Sequence, residues 1–162
     1  MKPPLHKQEK ERLEAVYRLG ILDTKPDPRF DVITKRAVEK LHLPISTVSI
    51  LDKNREWYKS CQGISEKEGP RKISFCSWAL LAQDVFIVED TLQDKRFKNN
   101  PYVVGKPYVR FYAGIALVDA VSGLPIGVFC VKDTKPRKLS VDELGILFEL
   151  AQETEKLINE RA

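Results

Sequence analysis

The side chains whose types and spacing admit chemistry are three cysteines, Cys61, Cys76 and Cys130, and four charged residues, Asp90, Asp94, Arg96 and Arg110. A cysteine attacks as its thiolate, so a reactive one needs a surrounding that lowers its pKa. Cys76 follows Ser74-Phe75 near an expected helix start, which gives it a physical reason for such a shift. Cys130 is flanked by strand apolars in Val-Phe-Cys130-Val and reads as a core thiol. The three form no CxxC pair and no metal-ligand spacing, and their odd number argues for reduced thiols in the cytoplasm. His6 and His42 are the only imidazoles, so a zinc or haem site rich in histidine is not expected, and a Ser-His-acid triad would have to use His42.

Asp90, Asp94, Arg96 and Arg110 all belong to a polar stretch of about twenty residues that ends at a β-hairpin, longer than most connections in a compact domain. It carries Phe97, Tyr102, Val103, Val104, Tyr108 and Val109, enough apolar side chains to pack down as a lid. From Lys95 to Arg110 there are five basic residues (Lys95, Arg96, Lys98, Lys106, Arg110) and no acidic one. That pattern fits either a solvated lid or an anion-attracting mouth. Asp90 or Asp94 would pin the lid through an arginine or backbone N–H groups. The expected ligand site combines Phe75, Cys76, Trp78, Phe97, Phe111 and Tyr112 as walls with Asp90, Arg96 and Arg110 as polar groups. The plainer alternative is that these aromatics only pack lid and helix onto the sheet. Strand alternation allows only one of Phe111 and Tyr112 to face the pocket, and Gly114 marks a close backbone approach. Asp52, Arg55, Trp57 and Lys59 lie on a second hairpin, where Trp57 either stacks on a ligand or plugs the surface.

The elements that must position these residues are legible in outline. A helix is predicted from about Lys7 to Leu19, stopped by Gly20, with residues 1–10 as a mobile extension. A second runs from about Pro28 to Leu41, capped by Asp27. Ile45 to Leu51 and Glu56 to Cys61 are strands joined by a turn at Asp52–Arg55, and Ile64 to Arg71 is an irregular loop. Ser74 caps a short helix, and Phe86 to Val88 is a short strand. Phe111–Asp119 and Leu124–Asp133 are the two arms of the hairpin. Ser140 and Glu143 make a capping box that opens a final helix over 140–162. Its apolar residues go more than halfway round, which calls for a second partner, either the first helix or another subunit. It reaches the last residue without a stop signal, as a helix with a continuation would.

At 162 residues, 43% apolar and 31% charged, the chain suits one soluble domain over 1–162. No apolar run approaches the ~20 residues of a membrane span. A net charge of +4 is spread among acidic neighbours, with no basic stripe interleaved with aromatics, so nucleic acid is not an expected partner.

Six ordered strings carry a family resemblance: Leu-Gly-Ile-Leu-Asp-Thr (19–24) with Phe30-Asp31, Asp52-x-x-Arg55-x-Trp57-Tyr58-Lys59-Ser60, Ile-Ser-Phe-Cys (73–76), Asp94-x-Arg96-Phe97-x-x-Asn100-Pro101, Phe-Tyr-Ala-Gly (111–114) and Gly-Val-Phe-Cys-Val (127–131) followed by Asp133 and Pro136-Arg137. Together they resemble GAF domains, of the type at the N-terminus of bacterial sensor histidine kinases and diguanylate cyclases. The resemblance spans about Glu11 to Ile158. It implies an α+β, PAS-related fold: an antiparallel sheet of five to six strands, terminal helices on one face, and a short helix plus lid over a pocket on the other. It also implies a non-catalytic, cytoplasmic, homodimeric sensor that binds an unidentified small molecule and signals to an attached histidine kinase or diguanylate cyclase. Two alternatives are a thiol enzyme similar to the free methionine-(R)-sulfoxide reductases, and a dimerisation scaffold with an empty pocket. The Cys-His pair of bilin-binding GAF domains is missing, since Ser77 follows Cys76, and no haem or metal signature is present.

Overall fold

A computed structural model describes residues 1–160. The chain runs through α1 (Glu9–Leu19), α2 (Pro28–Leu41), β1 (Ile45–Leu51), β2 (Arg55–Gln62), β3 (Glu68–Pro70), α3 (Cys76–Ala79), β4 (Val85–Val88), α4 (Pro101–Val104), β5 (Phe111–Val118), β6 (Pro125–Asp133) and α5 (Val141–Asn159). The strands form one six-stranded antiparallel sheet in the order β3-β2-β1-β6-β5-β4. β1 and β6 occupy its centre, paired from Ile45↔Lys132 to Ile50↔Gly127. They are rich in β-branched residues and buried almost throughout, as central strands covered on both faces should be.

The punctuation works as the residue types dictate. Gly20 adopts the left-handed conformation that closes α1, and Asp27 accepts the Arg29 N–H ahead of Pro28. Ser140 and Glu143 complete the reciprocal capping box of α5. Two expectations need correction. The loop from Ile64 to Arg71 contributes the short edge strand β3, paired to β2 from Arg55↔Pro70 to Trp57↔Glu68. The lid is less irregular than its composition suggests, because Asp90 caps a 3-10 turn at Thr91–Gln93 and Asn100 caps α4.

Pleating divides the interior into two cores. On one face α1, α2 and α5 pack over Val48, Ile50, Trp57, Phe111, Ala113, Phe129 and Val131. On the other, α3 and the lid pack over Leu51, Tyr112, Val128 and Cys130. The broad apolar stripe of α5 packs chiefly on β5 and α2, and Arg36 pairs with Glu153 at 3.1 Å across that helix pair. Phe148 remains 38% exposed on its outer side. At its far end Glu155 accepts the Val118 N–H at 2.7 Å, while Asn159 accepts from Ala120 N–H at 2.8 Å and donates to the Val118 carbonyl at 3.0 Å. α1 is anchored by an ion triad. The fully buried Arg12 donates to Glu9 at 2.9 Å and to the Leu51 carbonyl at 2.7 Å, and Arg71 binds the same carboxylate at 3.1 Å. No helix among the described residues is long and apolar enough to cross a membrane.

Candidate functional site

The lid-side face of the central strands is polar, although it is buried. From β1 come Thr47 and Ser49, from β2 Glu56, from β5 Tyr112, and from β6 Cys130 and Lys132, all buried. Satisfying so many buried polar groups takes a connected network. The Tyr112 hydroxyl donates to Cys76 Sγ at 3.1 Å, and the Cys76 thiol donates to Ser49 Oγ at 3.7 Å. Ser49 Oγ and Thr47 Oγ1 lie 2.7 Å apart, and Thr47 Oγ1 and Cys130 Sγ 3.0 Å apart. The Glu56 carboxylate accepts hydroxyl hydrogen bonds from Tyr58, at 2.6 Å, and from Ser74. Ser74 also accepts the Ser77 N–H at 3.3 Å, so it caps the turn as expected although α3 itself begins at Cys76.

Five of the residues expected to wall a pocket come together, and with Phe86 they fill the space between lid and α3. Phe75 stacks on Phe97 at 4.5 Å and on Tyr112 at 5.3 Å between centroids, while Trp78 and Phe86 meet Phe97 edge-on. Cys76 is sealed beneath Tyr112. Phe111 does not join them. It faces the helical core, as alternation requires of Tyr112's neighbour. Gly114 makes room for this arrangement, since a Cβ there would stand 2.4 Å from the Tyr112 hydroxyl lying over it.

The charged candidates are occupied in structural roles. Arg96 is tied to Asp94 at 2.7 Å with its guanidinium over the Phe86, Phe97 and Trp78 rings. Arg110 donates to the carbonyls of Val103 at 2.9 Å and Val109 at 3.3 Å, and Asp90 caps the 3-10 turn. Trp57, whose position was open between ligand stacking and a surface plug, is buried on the helical face.

The space on this face lies at the other end of the lid. A cavity of about 280 Å³ opens between the α4–β5 segment and the β2–β3 loop, walled by Ile45, Tyr58, Tyr102 and Val109, with Lys132, Lys106 and Glu66 as charged groups. Gly63 turns the chain along its edge with φ of +85°, where a Cβ would meet the Pro44 carbonyl at 2.0 Å. Lys132 and Tyr102 were not among the sequence candidates. Lys132 had a legible signal, because a lysine in phase with Val128 and Cys130 on a central strand must point into the lid-side core. Tyr102 and Tyr58 carried none, as only the fold brings α4 against β2.

Electrostatics reverse the expectation for the thiols. Burial and the neighbouring Cys130 push the Cys76 thiol up, and one helical turn does not offset this. Burial also opposes a Cys130 thiolate, but hydrogen bonding from Cys76, the Lys132 charge and Thr47 outweigh it and bring that thiol down to about 7. Burial likewise opposes the Lys132 charge, yet Cys130 and Glu56 hold its pKa above the usual lysine value. A depressed acid stabilises the fold fully above its unfolded value and loses that contribution as pH falls through its folded value. The Cys130 contribution is therefore expected to grow from about pH 7 to about pH 9. Denaturation of wild type and Cys130→Ser across that window should show the difference widening with pH, and parallel curves would contradict the assignment.

No family model matches the chain. It is 42% identical over 135 residues to cyclic di-GMP phosphodiesterase PA2567 of Pseudomonas aeruginosa, a match covering 83% of this chain and 23% of that protein. The chain thus spans about a quarter of the length of this curated relative. Among solved structures, it superposes on the GAF domain of an Acinetobacter phosphoenolpyruvate-protein phosphotransferase with a TM-score of 0.63 at 13% identity, covering 93% of this chain and 94% of that one. The type II free methionine-R-sulfoxide reductase of Thermoplasma acidophilum gives a TM-score of 0.64 at 15% identity, covering 92% and 95%. At such identities the likeness concerns the fold alone. The fold is GAF-like, as the sequence motifs implied.

Proposed function

We propose that this GAF-like chain is a small-molecule-binding sensory module of a cytoplasmic signalling protein. The observation that carries the reading is the cavity over the polar sheet face, bounded by the segment from Tyr102 to Val109. Concave sites with apolar walls and a few convergent polar groups are the usual form of ligand pockets. Its floor is made of strands whose reverse face bears α1, α2 and α5. A ligand that orders the lid would thus act on strands already packed against the terminal helices, and it can bias them only by its differential affinity for two arrangements. The similarity to part of a cyclic di-GMP phosphodiesterase favours an effector that turns over a cyclic dinucleotide, and Phe148, exposed on the outer side of α5, favours two copies pairing through the helical face.

Native mass spectrometry of protein purified without denaturation tests this reading. A released small molecule is expected, and hydrogen exchange across residues 101–110 should rise when it is stripped by refolding. Protein that flies empty and exchanges identically before and after refolding would sink it.

A further inference from the structure

The charge at the base of the cavity has no hydrogen-bonded partner among the described residues. Lys132 is 6% exposed on a central strand and lines the cavity. Lysines usually run their stems along apolar surface and keep the ammonium in water. Buried ones are usually paired. Among the described residues the Lys132 ammonium makes no hydrogen bond and no ion pair, and it stands 5.9 Å from the centre of the Phe75 ring. The carboxylates that could have served it are committed elsewhere. Glu56 accepts from Tyr58 and Ser74, and Glu68 is held by Arg55 at 2.9 Å. Glu66 is exposed at the rim.

Two further groups face the same space without a partner. The Tyr102 hydroxyl donates to nothing among the described residues and stands 2.8 Å from where a Cβ on Gly69 would be. Lys106, on the lid, has no ion pair among the described residues and lines the same cavity. The cavity thus has a buried cation on its floor, a second cation on its cover and the Tyr102 hydroxyl in its wall, while its two carboxylates, Glu66 and Glu68, stand at the exposed rim. Burial opposes the Lys132 charge, but the neighbouring Cys130 and Glu56 outweigh it and keep the amine protonated, so its three donors persist at neutral pH.

We infer that the occupant is a small organic anion whose carboxylate or phosphate group sits on the Lys132 ammonium, with its apolar remainder between Ile45, Tyr58, Tyr102 and Val109. This rests on the ligand-binding reading above and adds the chemical class. At about 280 Å³ the space is at the small end for ligand pockets, which suits a metabolite-sized molecule. Cyclic dinucleotides are too large for it. The relation to an enzyme of cyclic di-GMP turnover therefore does not make that nucleotide the ligand.

Benzoate, phenyl phosphate and the neutral isostere benzamide distinguish the possibilities, with binding followed by NMR shifts at cavity residues and by calorimetry. Benzoate or phenyl phosphate should bind at least about tenfold more tightly than benzamide, a difference of ~1.4 kcal/mol. The tighter of the two names the anionic group. Lys132→Met, close to lysine in volume, should abolish that preference, because it removes the ammonium on which the anion sits. Tyr102→Phe, on the half-buried lid helix, serves as a second variant if Lys132→Met fails to fold. It should weaken the anions several-fold and leave benzamide unchanged. Benzamide binding as tightly as the anions would overturn the anion inference and leave the pocket standing. If none of the three perturbs the cavity at millimolar concentration, both readings fall together.

Discussion

Glu9→Gln should lower the unfolding free energy at neutral pH by about 3 kcal/mol, the low end for removing one partner of a buried ion pair. The low end applies because Glu9 itself is 16% exposed, whereas Arg12 is fully buried and Arg71 nearly so. Without the carboxylate, two guanidinium groups remain face to face with only the Leu51, Pro125 and Asp52 carbonyls to receive them. Burial opposes the Glu9 charge, but the hydrogen bonds from Arg71 and Arg12 outweigh it and hold the carboxyl at about 2, against an ordinary 4.5. The stabilisation is therefore complete above about pH 4.5 and drains away as pH falls toward 2. Urea denaturation of both proteins should show the gap closing over that interval, and a gap unchanged with pH would remove the ion triad as its cause.

Phe97→Ala should cost about 3–5 kcal/mol, the range for truncating a buried aromatic to alanine. Phe97 is 1% exposed and touches three other rings and the Arg96 guanidinium. The void would open between the lid and α3, where little but the lid itself can collapse into it. Exchange protection should fall across 89–110 before it falls in β1 or β6, because the helical core does not contact this ring. Uniform loss of protection in both cores would mean that lid and sheet unfold as one unit. The stack also explains why the expected pocket and the observed cavity lie at different ends of the lid. Ring contacts of 4.5 to 6.1 Å leave no space for a ligand among Phe75, Trp78, Phe86 and Phe97.

Local rules carried the fold further than they carried the site. Gly20, Asp27-Pro28 and the Ser140–Glu143 box act within a few residues, so their consequences could be read along the chain. The Phe111/Tyr112 alternation assigned one residue to each core for the same reason. β3 escaped because Glu68-Gly69-Pro70 has no strand character, and only pairing to β2 makes it one. The cavity escaped because its lining comes from β1, β2, β6, the β2–β3 loop and the lid, elements that topology alone brings together. Cys130 is the core thiol its neighbours implied, whereas the expectation of a lowered pKa at Cys76 gave way to burial. Hydrogen bonding from Cys76, and then the charge of Lys132 two residues along β6, lower the Cys130 thiol against its burial.

The side chains that tie the end of α5 to the tip of the β5–β6 hairpin limit how that helix can move. Glu155 and Asn159 hold both polar groups of Val118 and the N–H of Ala120, which are main-chain atoms of a single strand end. A slip of α5 along its axis by one residue, about 1.5 Å, would stretch all three bonds, and a twist about that axis would carry the two side chains away from the strand. Tilting with β5 breaks none of them. Helix and hairpin are therefore joined as one unit, and α5 can neither slide nor turn on its own without breaking these bonds.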